Sequence, residues 1–422
     1  MSETAALETP HSGYHWDGSD RRFFEGWYFR TTLPAYGDSF AFMYSIDDPR
    51  GGNSSPGNNS PGNNSPGDKN IAGGCAQILG PEDTYFCRTF PDVAGFWASP
   101  RQMALGHWGR RKSDRRKIPE SPLSGEFSSS FGASAFKENQ NGSGGQSFVS
   151  STKPGYLKPT EFESRIEEGY QVTTTEHQGA LFDPATGHWC RWHYHIEPVY
   201  GWGDAKRGQL ATASWLSFLP IFEPGWQVLM ALGFADGWIE WQDKRYELRS
   251  APTYSEKNWG GAFPSKWFWI NCNCFDNEPD LTLTAVGAKR KVLWWTESVG
   301  AIGLHYGGKF YEFAPWNSRV SWEIAPWGSW WMEATDGRWA IELRGTTDCP
   351  GTLVRVPTEN GLLPYCRDTT QGQLQLRLLE IGGSRSRVVL TARSSLSGLE
   401  VGGGPWETVW RSDRVWGVGC GV

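Results

Sequence analysis

This 422-residue chain lacks the long apolar runs of a membrane protein: nowhere do 18 consecutive apolar residues occur, so no transmembrane segment is expected. No secretory signal pattern precedes His11. An excess of basic charge is also missing. Lys and Arg number 40 against 46 Asp and Glu, a net charge of −6, so a nucleic-acid partner is not expected. The eight cysteines are scattered except Cys272 and Cys274, and no CxxC pair occurs. This pattern predicts reduced thiols in a cytoplasmic compartment, with neither a zinc site nor a disulfide framework. Gly-rich phosphate loops, a serine nucleophile elbow, HExxH and helical periods of Rossmann or TIM type are likewise absent.

What is plentiful is aromatic. The chain has 25 tryptophans against 5 methionines, with 52 glycines and 26 prolines. Such a composition favours short strands and many turns, and predicts an all-β fold. Strand-like segments cluster on either side of residue 250, which suggests two antiparallel barrel-like domains, 11–249 and 250–422. Two long flexible insertions are expected in the first, at about 51–70 and 120–160. The former holds three copies of a pentapeptide, NSSPG-NNSPG-NNSPG, too polar to bury a core. The basic run Arg110 to Lys117 reads as a solvated loop, or as a weak attraction to an anionic membrane surface. On the segment 189–198, His193, His195 and Glu197 share a strand face; a wet outer face is favoured there over a metal site.

The stretch from Tyr254 to Asn271 compresses charge, a glycine pair and three tryptophans. Alternation along an extended chain puts Trp267, Trp269 and Asn271 on one face and Phe268, Ile270 and Cys272 on the other. These tryptophans suit either a barrel core or a lined cavity. The adjacent Glu256 and Lys257 favour the cavity, since charge beside an aromatic wall is costly unless paired or used. Earlier in the chain, Phe23, Glu25, Trp27 and Phe29 share a face, opposite Phe24, Tyr28 and Arg30. Desolvated in that row, Glu25 becomes a proton donor at neutral pH; paired with Arg22 or Arg30, it is structural. The most apolar segment, Ser214 to Met230, contains Phe222 and Trp226 and walls a lipid tunnel or fills a core.

Several long runs resemble the tocopherol cyclases of cyanobacteria and plastids. They include PHSGYHWDGSDRRFFEGWYFR at 10–30, WLSFLPIFEPGWQVLMALG at 215–233, YSEKNWGGAFPSKWFWINCN at 254–273, GKFYEFAPWN at 308–317 and VGGGPWETVW at 401–410. The resemblance implies two lipocalin-like β domains, related distantly to carotenoid hydratases. It also implies cyclisation of a prenyl benzoquinol, such as 2,3-dimethyl-5-phytyl-1,4-benzoquinol, to a tocopherol chromanol, without metal or redox cofactor. Any membrane association would be peripheral, at a thylakoid or plasma membrane. In the hydratase pattern a His and a Trp two apart precede a Tyr and an acid two apart. Lys257 and Trp259 match the first pair, and Trp269 and Asn271 the second. Asn271 stands where the acid would be, which leaves Glu25 and Glu256 as the proton donors to expect.

The implied chemistry suits these residues. Protonation of a trisubstituted alkene gives a tertiary cation, which the neighbouring phenol oxygen captures. That needs a neutral acid, exclusion of water and aromatic faces around the cation, each worth roughly 1–2 kcal/mol when desolvated. Glu25 or Glu256 is expected as acid, Lys257 as its tuning partner, Asn271 and Tyr28 as positioning groups, and Trp27, Trp259, Trp267, Trp269, Phe222 and Trp226 as substrate contacts. A barrel that carries a prenyl lipid unchanged, or a hydratase, would share the aromatic lining.

Overall fold

Alternating aromatic residues, which favour extended chain because bulky side chains pack well on a pleated surface, recur through both halves of the molecule. A computed structural model describes residues 9–49, 73–113, 155–204, 208–218, 223–292, 295–382 and 385–412. The pentapeptide insertion at 51–70, residues 120–154 of the second insertion, and Phe222 lie outside the described residues. Among the described residues the chain forms two antiparallel sheets of eleven strands each, as the all-β expectation requires.

The first sheet contains β1 (Phe24–Leu33), β2 (Asp38–Asp47), β3 (Gly73–Leu79), β4 (Tyr85–Phe90), β5 (Phe96–Ala98) and β6 (Ala104–Arg111). A short helix, α1 (Pro159–Arg165), precedes β7 (Ile166–Thr173), β8 (Glu176–Phe182), β9 (Trp189–Tyr200), β10 (Gly225–Trp241) and β11 (Lys244–Gly260). Their order is 4-3-2-1-11-10-9-8-7-6-5, so the first strand lies beside the last. The second sheet begins with β12 (Lys266–Cys272), β13 (Thr282–Val292), β14 (Trp295–Tyr306), β15 (Lys309–Phe313), β16 (Arg319–Ile324) and β17 (Ser329–Thr335). It ends with β18 (Trp339–Thr346), β19 (Thr352–Thr358), β20 (Gly361–Gly382), β21 (Arg385–Gly403) and β22 (Trp410–Arg411). Here β12 pairs with the long β21, and β19 pairs with β20 at the side of the main path.

Two expectations shift by several residues. The passage between sheets falls at 261–265, so the boundary expected at 249/250 lies inside β11. The strand runs on because Tyr254 to Trp259 stays paired to β1 on one side and β10 on the other. The second insertion, expected to reach residue 160, is over before then: Leu157 is buried, and Pro159 opens α1, whose Phe162 packs with Trp97, Trp108 and Ile166. Proline suits that first helical position because it has no N–H to leave unsatisfied.

Each sheet curls around its own core. Phe29, Phe42, Tyr44, Tyr170 and Trp192 are among those inside the first, and Phe268, Ile270, Leu304, Trp322 and Leu376 inside the second. The faces of β12 are those the alternation predicts, with Phe268, Ile270 and Cys272 in the second core. Between the sheets lie two further aromatic clusters, one with Trp202, Tyr254 and Trp269, the other with Trp267, Val354 and Cys366. Strand β1 is buried on both faces because one looks into the first core and the other meets the second sheet.

The fully buried Arg30 crosses this seam. Its guanidinium donates to Leu396 O at 2.6 Å, Asn271 Oδ1 at 3.3 Å and Ser39 Oγ at 3.2 Å. Thr32 Oγ1 donates to Asn273 Oδ1 at 3.1 Å alongside. Asp83, from the turn before β4, accepts from the backbone N–H of Thr370 at 2.9 Å and from the hydroxyl of Thr369. These bonds satisfy buried polar atoms that neither sheet can satisfy alone. Replacing Arg30→Ala should cost at least about 3 kcal/mol, because charged hydrogen bonds are lost and buried acceptors are stranded; urea unfolding of the variant against the parent checks this.

Candidate active site

A cleft opens between the sheets beside Arg30. It encloses about 1440 Å³ of non-atom space, part of it open to solvent. Strand β1 lends Gly26, Trp27 and Tyr28; β12 lends Trp267 and Trp269; β13, β14 and β19 close the apolar walls with Val286, Val299 and Val354. Leu216, from the turn 214–218, and Trp316 stand at its border. Trp226, Glu256 and Glu400 line it too.

Glu256 projects from the face of β11 that looks toward the second sheet. Its Oε2 accepts three hydrogen bonds: from Tyr254 OH at 2.6 Å, Trp226 Nε1 at 2.9 Å and Trp269 Nε1 at 3.2 Å. Desolvation pushes its pKa up, against the downward pull of those three donors. The carboxyl is therefore shifted toward its neutral form, yet the anion it leaves on losing a proton has donors already in place. Near it, Tyr28 lines the cleft; its buried hydroxyl has no hydrogen-bond partner among the described residues, and its ring meets Trp269 edge-on at 5.2 Å.

A second carboxyl on this wall, Glu400, was not singled out from the sequence. Trp267 Nε1 donates to its Oε1. Trp267 and Trp269 are two residues apart on one face of β12, about 7 Å along an extended chain, and each indole holds one cleft carboxyl. Burial pushes Glu400 up to about 7, opposed by the Trp267 hydrogen bond and reinforced by the charge of Glu256. Directly opposite on β20 is Asp368, fully buried, whose carboxyl has no side-chain donor among the described residues and only the Thr369 backbone N–H beside it. Burial first, then the neighbouring Glu400 and Asp83, raise Asp368 well above the usual carboxylate range. The signal for Glu400 was present: Leu399 and Val401 alternate into the second core, which leaves Glu400 facing the seam between Gly398 and Gly402. Those glycines seat the two indoles. A Cβ on Gly402 would lie 2.0 Å from Trp267, and one on Gly398 2.7 Å from Trp269.

Other expected site residues sit elsewhere. Glu25 and Lys257 are both fully buried on the opposite face of β1 and β11, outside the cleft lining, as an ion pair with each other. Glu25 thus has a structural partner, but Lys257 and not Arg22 or Arg30. Arg30 points to the other face, and Arg22 pairs with Asp47 at 3.0 Å. His15 N–H donates to Glu25 Oε2 at 2.8 Å, and Lys257 Nζ to Gly13 O at 2.6 Å, so the pair ties down the segment before β1. Burial lowers the Lys257 pKa, and Glu25 opposes the shift. Trp259 stacks on His15 at 4.0 Å and lies outside the cleft lining. Beyond it Gly260 takes φ +141°, a conformation that glycine adopts without strain, as the chain leaves β11. Asn271 belongs to the seam: it accepts from Arg30 and donates to Leu283 O at 3.1 Å. His195 meets Glu176 at 2.8 Å on an exposed face, and among the described residues no group of His, Cys, Asp and Glu is arranged to hold a metal ion.

The chain matches a family model described as tocopherol cyclase-like over residues 21–133 and 126–403. It is similar to a probable chloroplastic tocopherol cyclase of Oryza sativa subsp. japonica, 42% identical over 425 residues, covering 97% of this chain and 82% of that protein. Against the chloroplastic tocopherol cyclase of Zea mays the identity is 41%, with 97% and 81% covered. Among solved structures, one of a putative AttH from Nitrosomonas europaea aligns with 96% of this chain and 98% of its own at 11% identity and a TM-score of 0.44.

The electrostatics of Glu400 have a stability consequence. Its pKa is raised in the folded protein, so the fold binds that proton more tightly than the unfolded chain does. The cost of burial is absent below about pH 4.5, grows as the pH rises and reaches about 3 kcal/mol above pH 7. Glu400→Gln keeps an acceptor for Trp267 and removes that cost. Urea unfolding should find the variant more stable than the parent at pH 8, with the gain gone at pH 4.

Proposed function

Because the chain belongs to the tocopherol cyclase-like family, we propose that it closes the chromanol ring of a tocopherol from a prenyl benzoquinol, with Glu256 as the proton donor. The observation that carries this assignment is the carboxyl itself: raised by burial, set in the cleft wall, with three donors gathered on one oxygen. Glu256 gives its proton to the alkene CH, and the positive charge forms at the tertiary carbon. Trp226 and Trp269 present aromatic surface beside that charge while their N–H groups hold the new carboxylate. The phenol oxygen then bonds to the tertiary carbon. One C–H and one C–O bond form, a C=C π bond and an O–H bond break, and no electrons leave the substrate. Tyr28, whose hydroxyl has no protein partner, donates to a ring oxygen of the quinol and fixes the phenol over the alkene. Glu25, Lys257 and Asn271 serve by holding β1, β11 and the seam in register; Trp267 and Trp269 contact the prenyl chain, whereas the Trp27 ring, expected there, lies in the first core beneath Lys257 and supports β1 from behind.

Substrate of this kind resides in a bilayer, and the cleft border suits loading from one. Beside Leu216, Trp215 and Phe218 leave 68% and 64% of their surface exposed, costly in water and suited to a membrane interface. No helix among the described residues is long and apolar enough to cross a membrane, and peripheral contact at a thylakoid or plasma membrane is the arrangement proposed. Incubation with reduced prenylquinol in deuterated water should give chromanol with one deuterium in the ring methylene derived from the alkene CH. Glu256→Gln should lower that turnover on the order of 10²–10⁴-fold, while Glu25→Gln changes stability more than label uptake. Mass spectrometry decides: a tertiary alcohol as product, or quinol bound and unchanged, would overturn the cyclase reading.

A further inference from the structure

Ring closure releases a second proton, from the phenol, while Glu256, a carboxylate once its own proton has gone to the alkene, has its Oε2 occupied by three donors. We propose that Glu400 is the base that accepts the phenolic proton as the C–O bond forms, an assignment that rests on the cyclase reading and extends it. Three features of the cleft support this. Glu400 and Glu256 both line the wall, one held by Trp267 and the other by Trp269, two residues apart on β12. A prenylquinol spanning that interval sets its alkene at one carboxyl and its phenol at the other. Behind Glu400 stands Asp368, fully buried and without a side-chain donor on either oxygen among the described residues. Burial keeps that acid neutral, which leaves Glu400, raised to about 7, as the member of the pair that takes up and releases a proton near neutral pH. The Tyr28 hydroxyl, lining the same wall without a partner, lies in the field of Asp368, Glu400 and Glu256 together.

The protons balance. Glu256 loses one to carbon, and Glu400 gains one from the phenol oxygen as the O–H bond breaks and C–O forms. After product leaves, the proton passes from Glu400 back to Glu256, and the site is reset with no net change. A base at this position also explains commitment. A tertiary cation whose phenol cannot shed its proton returns the alkene by losing a proton from the methylene just made.

That reversal supplies the test. Parent, Glu400→Gln and Glu256→Gln proteins are incubated with reduced prenylquinol in deuterated water, and both chromanol and recovered quinol are analysed for deuterium. For Glu400→Gln the expected result is chromanol formation reduced on the order of 10²-fold, with deuterium appearing at the vinylic CH of recovered quinol. Glu256→Gln should lose both signals. Chromanol formation by Glu400→Gln within about threefold of the parent would overturn the assignment, since a general base contributes on the order of 10²-fold or more. So would loss of both signals in a folded Glu400→Gln protein. Should Glu400→Gln not fold, Glu400→Asp decides: drawing the carboxyl back by one methylene should raise vinylic exchange relative to ring closure, and an unchanged ratio counts against the proposal. Parent protein that forms no chromanol removes the cyclase reading itself, a result separate from failure at Glu400.

Discussion

Carboxyl groups buried where two sheets meet are the constraint on which the rest of this molecule depends. Glu256 and Asp368 lie buried at the seam with the half-buried Glu400 beside them, and a buried carboxyl is tolerated when it is neutral or well supplied with donors. The donors here are indole N–H groups. An indole gives one directional hydrogen bond from an otherwise apolar body, so Trp226, Trp267 and Trp269 satisfy Glu256 and Glu400 without bringing a competing charge. An arginine in the same place would hold the carboxyls ionised and end their use as acids at neutral pH. Arg30, in the seam itself, donates chiefly to carbonyl and amide oxygens, and Glu256 and Glu400 take their hydrogen bonds from indole and phenol groups instead.

The unusual composition follows from that choice. Tryptophan is the bulkiest side chain, and a pleated sheet facing another has little room for it. Glycine on the neighbouring strand makes the room, Gly402 under Trp267, Gly398 under Trp269 and Gly225 against Trp259, and Gly303 does the same for Trp202. These glycines lie within strands, where the lack of a side chain is normally a loss. Here the flat backbone surface becomes the seat of an indole, and the large numbers of both residues in the sequence describe one packing device.

Much of this was legible before any coordinates. The all-β class came from strand-forming composition, and the two faces of β12 came from alternation alone. Period-two patterning is reliable where one face meets a core and the other a partner sheet. Local patterning could not say which acids share a cavity. Glu25 and Glu256 both sit in aromatic surroundings, yet β1 and β11 pair so that Glu25 falls opposite Trp259 and Tyr28 opposite Glu256. That register puts the two acids on opposite faces of one sheet. Glu400, more than a hundred residues from the aromatic stretch, joins the site only because β21 closes against β12. Such pairing is a property of the whole topology, and no window of sequence contains it.

The same topology bears on how ring closure can outrun capture by water. In a cleft partly open to solvent, a tertiary cation is safe only if its nearest nucleophile is the phenol. A single acid becomes the only base once it has protonated the alkene, and as that base it can as readily take back a methylene proton as relieve the phenol of its own. Two carboxyls on neighbouring indole anchors change that contest, because the phenol loses its proton while the C–O bond forms and the internal attack becomes the faster path. Their spacing is set by two residues of one strand, among the most rigid rulers a protein has. On this view the seam between the sheets is where an acid and a base can be fixed at that separation, each strand supplying what its own curled core has no room to hold.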